Sequence, residues 1–238
     1  MKYFRLILLF YLFLINNYTF SQYDNYGVPD FDANEKQTKF RFNFDLGYGN
    51  WNKTINNGTQ DFIVDYYHGL KDGFDIEAGA IYFPNKFIGI GLTGLRFDAY
   101  ARLNNVYLID DTTGNVIAMG FLEDDIAISF IGATFCHRFK PINKKYIIQL
   151  ALTPGYFYYR NYKSWVIYND KITGTSFGIN FALNLDFQFS DNFGVGFGTN
   201  ILTGSIKEVE INGELQQLDK NENLTRINFT IGFKVYIE

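Results

Sequence analysis

The chain has 238 residues, a formal net charge of −4 and one cysteine, and it is rich in Phe (26), Tyr (18) and Gly (22). A chain of this size commonly forms one all-β domain, and this aromatic and glycine content favours strands and tight turns. No basic patch for nucleic acid is present, and a lone Cys136 excludes an internal disulfide or a zinc cluster. The mean hydropathy of −0.11 argues against a helical membrane protein.

The first 21 residues have the three parts of a secretory signal. Two basic residues precede a ten-residue apolar run, Leu6 to Ile15, and a polar end, Thr19-Phe20-Ser21. The run is too short to span a bilayer as a helix. We therefore predict a signal peptide at 1–21, a flexible segment at 22–38 and a folded domain at 39–238. A retained N-terminal anchor helix is the alternative interpretation.

The first clear strand pattern begins at Phe40. Large apolar residues occupy every second position to Tyr48, with polar residues or glycine between them. A strand can present such a two-residue period on one face, whereas a helix cannot. Residues 50–60 are predicted as a loop, and 61–72 leave two interpretations, a short helix or the outer part of the second strand.

The second and third strands are predicted as a hairpin around Pro84-Asn85-Lys86. Alternation runs from Phe74 to Tyr82 and again from Ile88 to Leu103. In the third strand the apolar positions change from even to odd near Gly94. One extra residue in the ladder would cause this change, so the pattern predicts a glycine bulge.

The middle of the chain continues the alternation with loops between strands. We predict a long polar loop at 104–124, strand four at 126–139 with another phase change near Gly132, a short turn at 141–145, strand five at 146–160 and a loop at 161–171. Pro154 within strand five requires a bulge or a weak position in the ladder.

The strictest alternation covers thirteen residues, from Phe177 to Phe189. That length is enough to cross a bilayer at a tilt of about 45°. The remaining predicted elements are a turn at 190–192, strand seven at 193–201, a polar excursion at 205–223 with the hairpin signal Asn212-Gly213, and strand eight at 227–237.

The predicted connections alternate between three short turns and four longer loops. This parity is typical of an even antiparallel barrel with both termini on one side of a membrane. An eight-stranded interior is narrow, so the bulky residues fit outside and Gly, Ala, Asn and Asp fit inside. We predict an all-β fold: an eight-stranded antiparallel up-and-down transmembrane β-barrel with a filled polar interior. A soluble secreted sandwich or lipocalin-like barrel is the alternative.

The chain resembles the small bacterial outer-membrane β-barrel proteins of the OmpX/OmpW-like class. The resemblance covers about 39–238 and is carried by GFDIEAGAIYFPNKFIGIGL, NFALNLDFQFSDNFGVGFG and the alternating last strand. It implies a monomer in the cell outer membrane, contact with outer-membrane lipid and lipopolysaccharide, and insertion by the barrel assembly machinery. The final strand departs from the class, because Ile237-Glu238 follow Tyr236 where an aromatic residue often ends the chain.

Charged residues on the predicted inner face are the first candidates for chemistry. They are Arg41, Asp45, Asp75, Glu77, Asp186 and Lys234. Charges in a dry interior must pair, so a salt-bridged plug is predicted, with a proton or ion path as the functional alternative.

The two histidines and an acidic loop are the other candidates. His68, with Asp65 and Asp72 nearby in sequence, lacks the adjacent serine that an acyl-transferring enzyme at the outer rim would need. His137 is predicted near the opposite end. The loop 104–125 carries Asp110-Asp111 and Glu123-Asp124-Asp125, which could hold a cation but lack EF-hand spacing.

Aromatic residues gather where the predicted strands meet long loops: Trp51, Tyr66, Tyr67, Tyr156, Tyr158, Tyr159, Tyr162, Trp165 and Tyr168. An interfacial belt or a surface that binds a protein or glycan would use the same residues. We predict a non-enzymatic barrel with a structural or surface-interaction role, without cofactor, catalytic residues or metal ligands. A barrel that binds or passes hydrophobic molecules and a lipid-modifying enzyme are the alternatives.

Overall fold

The computed structural model describes residues 38–52, 61–110, 112–139 and 145–238. The predicted signal peptide (1–21) and almost all of the predicted flexible segment (22–38) lie outside these residues, so both stay predictions. Most of the predicted loop at 50–60 and the turn at 141–145 also lie outside them.

Strands make up almost all of the described chain. The elements are β1 (Phe40–Trp51), α1 (Asp61–Lys71), β2 (Asp72–Tyr82), β3 (Ile88–Ile109), β4 (Val116–Phe139), β5 (Tyr146–Trp165), β6 (Tyr168–Gln188), β7 (Phe193–Ile211), β8 (Glu214–Asn223) and β9 (Arg226–Ile237). Each strand from β1 to β7 pairs with the next, β7 pairs with β9, and β9 pairs with β1. The predicted eight-stranded ring is confirmed. β8 pairs with the part of β7 that lies beyond the β7–β9 pairing.

The ring closes with a stagger of ten residues. Following paired residues once around it from Phe40 returns to β1 at Asn50, through Tyr82, Ile90, Phe135, Leu152, Phe181, Ile201 and Ile227. Strand number and stagger together set the tilt and width of a barrel, and eight strands leave only enough room for side chains.

The outward residues of the ring form an apolar belt. It includes Phe40, Phe42, Phe44, Leu46 and Tyr48 on β1, Ile88, Ile90 and Leu92 on β3, Phe177, Leu183, Leu185 and Phe187 on β6, and Ile227, Phe229, Ile231 and Phe233 on β9, all of them exposed. The predicted bulky-outward arrangement is therefore confirmed. Lipid can cover such a belt, whereas a soluble barrel would turn these residues inward.

Within the described part of the chain, no helix is both long enough and apolar enough to cross a membrane.

The bulge predicted near Gly94 is wrong, and the phase change noted near Gly132 is not a bulge either. The registers of β3 with β2 and with β4 run without a shift through both glycines. The same alternate positions face inward throughout, but the inner face changes from polar at Thr93 to apolar at Leu95 and Phe97. The apparent phase change therefore reflects a change of surroundings along a regular strand. Beyond this level the inner face of the wall is apolar and the outer face is polar.

Three hairpins rise above the belt as paired strands, so the predicted loops at 104–124 and 161–171 are wrong. β3 and β4 pair up to Ile109 and Val116, and β5 and β6 pair up to Trp165 and Tyr168. The hairpin predicted at Asn212-Gly213 is confirmed, and both residues have the positive φ, 53° and 94°, that a two-residue type I′ turn requires. Opposite Pro154 the β4–β5 ladder has a gap without a change of register.

The uncertain segment at 61–72 forms α1, which takes the place of two strands in the upper wall. β1 ends at Trp51 and β2 begins at Asp72, so β3 loses its partner after the Phe74–Asp98 pair. From Ala99 to Ile109, β3 pairs with β4 alone. Tyr66 and Leu70 of α1 pack into the barrel core beside this edge.

Two glycines at similar depth test how tightly the wall is packed. A Cβ at Gly178 would lie 2.2 Å from the Phe157 ring and 2.6 Å from the Thr203 carbonyl oxygen, whereas one at Gly94 meets nothing within 3.7 Å. We expect Gly178→Val to lower the free energy of unfolding by at least about 1–3 kcal/mol and Gly94→Val to leave it nearly unchanged. Urea unfolding in lipid vesicles, followed by the gel shift between unheated and boiled samples, measures both, and equal losses would contradict the packing.

Candidate functional site

The lower half of the interior holds a network of paired charges. Arg41 Nε donates to Asp186 Oδ2 at 2.8 Å and Arg41 Nη2 donates to Asp186 Oδ1 at 3.1 Å. The hydroxyl of Tyr236 donates to the same carboxylate at 2.8 Å. All three side chains are buried, so the bidentate pair satisfies charges that water does not reach.

A second pair lies beside the first. Lys234 donates to Asp45, and Asn43 Nδ2 donates to Asp45 Oδ2 at 2.7 Å and to Glu77 Oε1 at 3.1 Å. Asn200 Nδ2 donates to Glu77 Oε2 at 2.8 Å. The predicted pairing of inner charges is therefore confirmed for Arg41 with Asp186 and for Lys234 with Asp45, whereas Glu77 is bonded to two amides and the Asn43 amide bridges it to Asp45.

Sequence reasoning missed the buried Arg226, because it directly precedes the alternating run that defined the last strand. Its Nη2 lies 4.0 Å from Asp75 Oδ1, and its three nitrogens have no hydrogen-bond partner among the described residues. Instead the guanidinium lies 5.4 Å and 5.8 Å from the ring centroids of Phe97 and Phe157. Cation–π contact with two rings thus replaces hydrogen bonds at this position.

Above Arg226 the interior is apolar, which corrects the prediction of a polar lumen for the upper half. The cluster there contains Trp51, Tyr66, Leu70, Leu95, Phe97, Ala99, Ala101, Ile126, Ile128, Phe130, Phe157, Tyr159, Leu202, Ile206, Val209 and Leu224. These side chains fill the section that they line, as the narrow ring predicts. The predicted filled interior is confirmed, with a polar lower part and an apolar upper part.

A buried hydrogen-bond network of Tyr66, Asp124 and Asn161 holds α1 on this core. Tyr66 donates its hydroxyl hydrogen bond to Asp124, and Asn161 donates to the other oxygen of the same carboxylate. Asp124 is buried on the inner face of β4. Burial, with the hydrogen bond to Asp124, raises the pKa of Tyr66 above its ordinary value, so this donor keeps its proton.

The acidic residues predicted in loop 104–125 do not gather into one site. Asp124 faces inward. Glu123 lies on the outer face, where its carboxylate accepts hydrogen bonds from Tyr100 and Arg102. Asp110 lies at the hairpin tip, where its Oδ1 accepts hydrogen bonds from the backbone of Thr112 and Thr113. Asp111 is outside the described residues. In the described ranges no group of three or more His, Cys, Asp or Glu could hold a metal ion.

The two histidines lie at opposite ends of the barrel. His68 is on the exposed side of α1, and Asp72, which directly follows α1, accepts hydrogen bonds from Tyr48 and Asn50. His137 faces outward near the short turns, with its ring 4.3 Å from Phe139 and 6.4 Å from Phe87. The structure does not bring the two histidines into one constellation.

The predicted aromatic group divides between the core and the outer wall. Trp51, Tyr66 and Tyr159 are buried, and Trp51 Nε1 donates to the Asn223 carbonyl at 2.5 Å. The exposed members are Tyr156, Tyr158, Tyr162, Trp165 and Tyr168. A shallow groove of about 410 Å³ lies between α1 and β3, lined by Asp65, Tyr66, Gly69 and the segment 100–103.

Comparison with solved structures decides the fold family. Neisserial surface protein A aligns over 83% of this chain and 97% of its own at 13% identity, with a TM-score of 0.51. OprG, an outer membrane protein of Pseudomonas aeruginosa, aligns over 85% of this chain and 97% of its own at 12% identity, with a TM-score of 0.54. The chain folds as a small outer-membrane β-barrel. No protein-family model and no curated protein matches the sequence.

This outer-membrane barrel fold agrees with the apolar belt and with the predicted localisation in the cell outer membrane. Closure of the ring gives the backbone N–H and C=O groups of every ring strand a hydrogen-bond partner. An open edge would leave such groups unpaired within the lipid, at a high cost in free energy. The three long hairpins and α1 lie at the end of the barrel opposite the short turns, the end that usually faces outward in barrels of this kind.

A buried and an exposed ion pair in the same chain allow a matched test. Lys234→Met leaves Asp45 buried without its cation, so we expect the free energy of unfolding to fall by about 3–5 kcal/mol. Arg96→Gln breaks the exposed pair with Asp98 and should cost less than about 1 kcal/mol. Urea unfolding in vesicles measures both, and similar losses would show that the inner pair does not stabilise the barrel.

The hydrogen bond from Tyr66 to Asp124 makes the attachment of α1 to the barrel core sensitive to alkaline pH. Since the pKa of Tyr66 is raised in the folded state, its contribution is complete below pH of about 10, the ordinary tyrosine value, and decreases as the pH rises further. In a Trp165→Phe background, the fluorescence of the buried Trp51 should stay unchanged up to a pH of about 10 and shift to the red only above it. Tyr66→Phe should remove this transition, and its persistence would assign it to another group.

Proposed function

We propose that this protein is a non-enzymatic outer-membrane barrel that contacts an external protein or glycan through its hairpins. The observation that carries the proposal is the β3–β4 hairpin: among the described residues, no strand pairs with β3 from Asn104 to Ile109 on the side away from β4, whereas α1 lies beside β3 from Tyr100 to Leu103. An open strand edge offers unpaired backbone donors and acceptors to a partner.

The tip of this hairpin adds an apolar surface beside the open edge. Tyr107 and Met119 are paired neighbours on its outer face and are 52% and 63% exposed, and Ile117 is 60% exposed. Beyond the lipid, exposed apolar residues grouped in this way are typical of interaction surfaces. The polar band around Arg96, Asp98 and Glu123 separates them from the membrane belt.

The interior supports a role outside the lumen. Paired charges occupy the lower half and a cluster of buried apolar side chains occupies the upper half of the described lumen, and both groups make their contacts within the chain. The opposite placement of His68 and His137 offers no shared nucleophile and base for a lipid-modifying enzyme.

The test uses cells that display the protein at equal levels. Replacing 105–120 by Asn-Gly joins β3 to β4 below the tip, at the Asn104–Phe121 pair, and should leave the heat-dependent gel shift intact. Binding is measured to immobilised fibronectin, collagen and heparin and to cells of the same strain. We expect the wild-type protein to raise binding to at least one of these surfaces by about tenfold or more, and the shortened hairpin to lose it.

Point variants separate the tip from general surface hydrophobicity. Ile117→Lys and Met119→Lys should reduce binding like the shortened hairpin, whereas Leu215→Lys, at the tip of the β7–β8 hairpin, should not. The proposal fails if displaying cells bind no more than cells without the protein, or if all three lysine variants behave alike.

A further inference from the structure

The two ring contacts of Arg226 do not account for all of its N–H groups. Its side chain is fully buried, and Nε, Nη1 and Nη2 all lack a hydrogen-bond acceptor among the described residues. A guanidinium has five N–H donors, and an aromatic ring accepts an N–H only weakly, so Phe97 and Phe157 leave most of these donors unsatisfied. Buried donors without an acceptor are costly and point to a partner from outside the chain, such as ordered water or an ion.

Two oxygen atoms near Arg226 are unpaired in the same way. Asp75 Oδ2 and Asn228 Oδ1 are buried without a partner in the described part of the chain, although Asn228 Nδ2 donates to the other carboxylate oxygen, Asp75 Oδ1, at 2.8 Å. Arg226 and Asn228 are successive inward residues of β9, and Asp75 faces them from β2 across Gly47 and Gly49 of β1. Donors and acceptors that need partners therefore converge on one small region of the lumen.

The position of Phe97 keeps this region from closing. A Cβ at Gly49 would lie 2.7 Å from the Phe97 ring and one at Gly73 would lie 2.5 Å from it, so the ring already lies against the backbone of β1 and β2. Arg226, which contacts this ring, has its Nη2 4.0 Å from Asp75 Oδ1. That separation is too long for a hydrogen bond, whereas two hydrogen bonds that meet on one water oxygen span about 4–5.5 Å.

The charge balance of the lower interior selects a neutral ligand. Within the described ranges the buried cations there are Arg41, Arg138, Arg226 and Lys234, and the buried carboxylates are Asp45, Asp75, Glu77 and Asp186. The two sets are equal in number, so a bound anion would leave a buried negative charge without compensation. Water adds no charge, and it can accept from a guanidinium and donate to a carboxylate at the same time.

We propose that Arg226 and Asp75 form a water-bridged ion pair at a buried hydration site. The water oxygen accepts from an Arg226 N–H, and the two water hydrogens are donated to Asp75 Oδ2 and Asn228 Oδ1. Buried apolar side chains occupy the lumen above this position and paired charges occupy the lumen below it, so the water is a fixed part of the filled interior. The site is inside the barrel and does not depend on the proposed external partner.

Two alternatives lead to different observations. If the aromatic rings alone satisfied the guanidinium, its N–H groups would be remote from water. If the interior served as an ion path, the position would hold an anion that exchanges with the medium. The environment of the Arg226 Nε–H therefore distinguishes the three interpretations.

The experiment compares two buried arginines in the same folded barrel. Arg41 Nε donates directly to Asp186 Oδ2 at 2.8 Å and is the internal control, whereas Arg226 Nε has no such partner among the described residues. The barrel without the predicted signal peptide is labelled with ¹⁵N-arginine and refolded in lipid nanodiscs, and NMR measures cross-relaxation from water to each Nε–H. We expect the signal of Arg226 to exceed that of Arg41 by about threefold or more, because only Arg226 has water at hydrogen-bond distance.

Two results would overturn the proposal. Equal cross-relaxation at the two arginines, or none at Arg226, would favour the ring contacts alone. A chemical shift of the Arg226 Nε–H that changes and saturates as chloride or bromide is added would favour an anion. Arg226→Lys and Arg41→Lys identify the two signals, and the heat-dependent gel shift checks that each variant is folded.

A crystal structure of the unaltered protein tests the same site if those variants do not fold. We expect ordered solvent density within about 3.2 Å of both an Arg226 nitrogen and Asp75 Oδ2, and no anomalous signal there in crystals grown with bromide. A bromide peak at this position, or side-chain density without ordered water there, would contradict the water bridge. Neither measurement involves adhesion, so failure of this site and failure of the proposed hairpin function are distinguishable.

Discussion

Closure of the ring through the β1–β9 pairing, at a stagger of ten residues, is the constraint on which the other features depend. Closure gives the backbone N–H and C=O groups of the strands hydrogen-bond partners inside the lipid, where no water is present. It also fixes an interior that is too narrow to hold a bulky side chain from every strand. Within the belt, bulky residues therefore lie outside, and the inner charges bond to one another. The Arg41–Asp186 and Lys234–Asp45 pairs are the result.

The surrounding solvent changes along each strand while the strand itself stays regular. In the belt the outside is apolar and the inside polar, as lipid requires. Beyond Gly94 on β3 the order is inverted, with Leu95 and Phe97 inside and the Arg96–Asp98 pair outside. Arg226, held between two aromatic rings, lies where the polar and apolar parts of the interior meet. The protein is thus a membrane barrel continued upward as a barrel of the soluble type.

The upper wall also explains why surface contact is a reasonable role. Six strands continue above the belt, and α1 fills the gap left by β1 and β2, fixed by Tyr66 on Asp124. Among the described residues, this arrangement leaves β3 without a second strand partner from Asn104 to Ile109, beyond the part that lies beside α1. The exposed apolar residues at the hairpin tip, Tyr107, Ile117 and Met119, lie beyond this part of the wall.

The sequence by itself determined the ring strands, the short turns near Pro84 and Asp191, the outward direction of Phe and Leu in the belt and the Asn212-Gly213 hairpin, because period-two alternation and turn chemistry are local signals. Only the tertiary structure decided which inner charges pair, since Arg41 and Asp186 are 145 residues apart and meet only after closure. It also decided that the changes at Gly94 and Gly132 mark inversion of the wall and not bulges. A local pattern shows which positions share a face, but burial of that face depends on partners and solvent that the pattern does not contain.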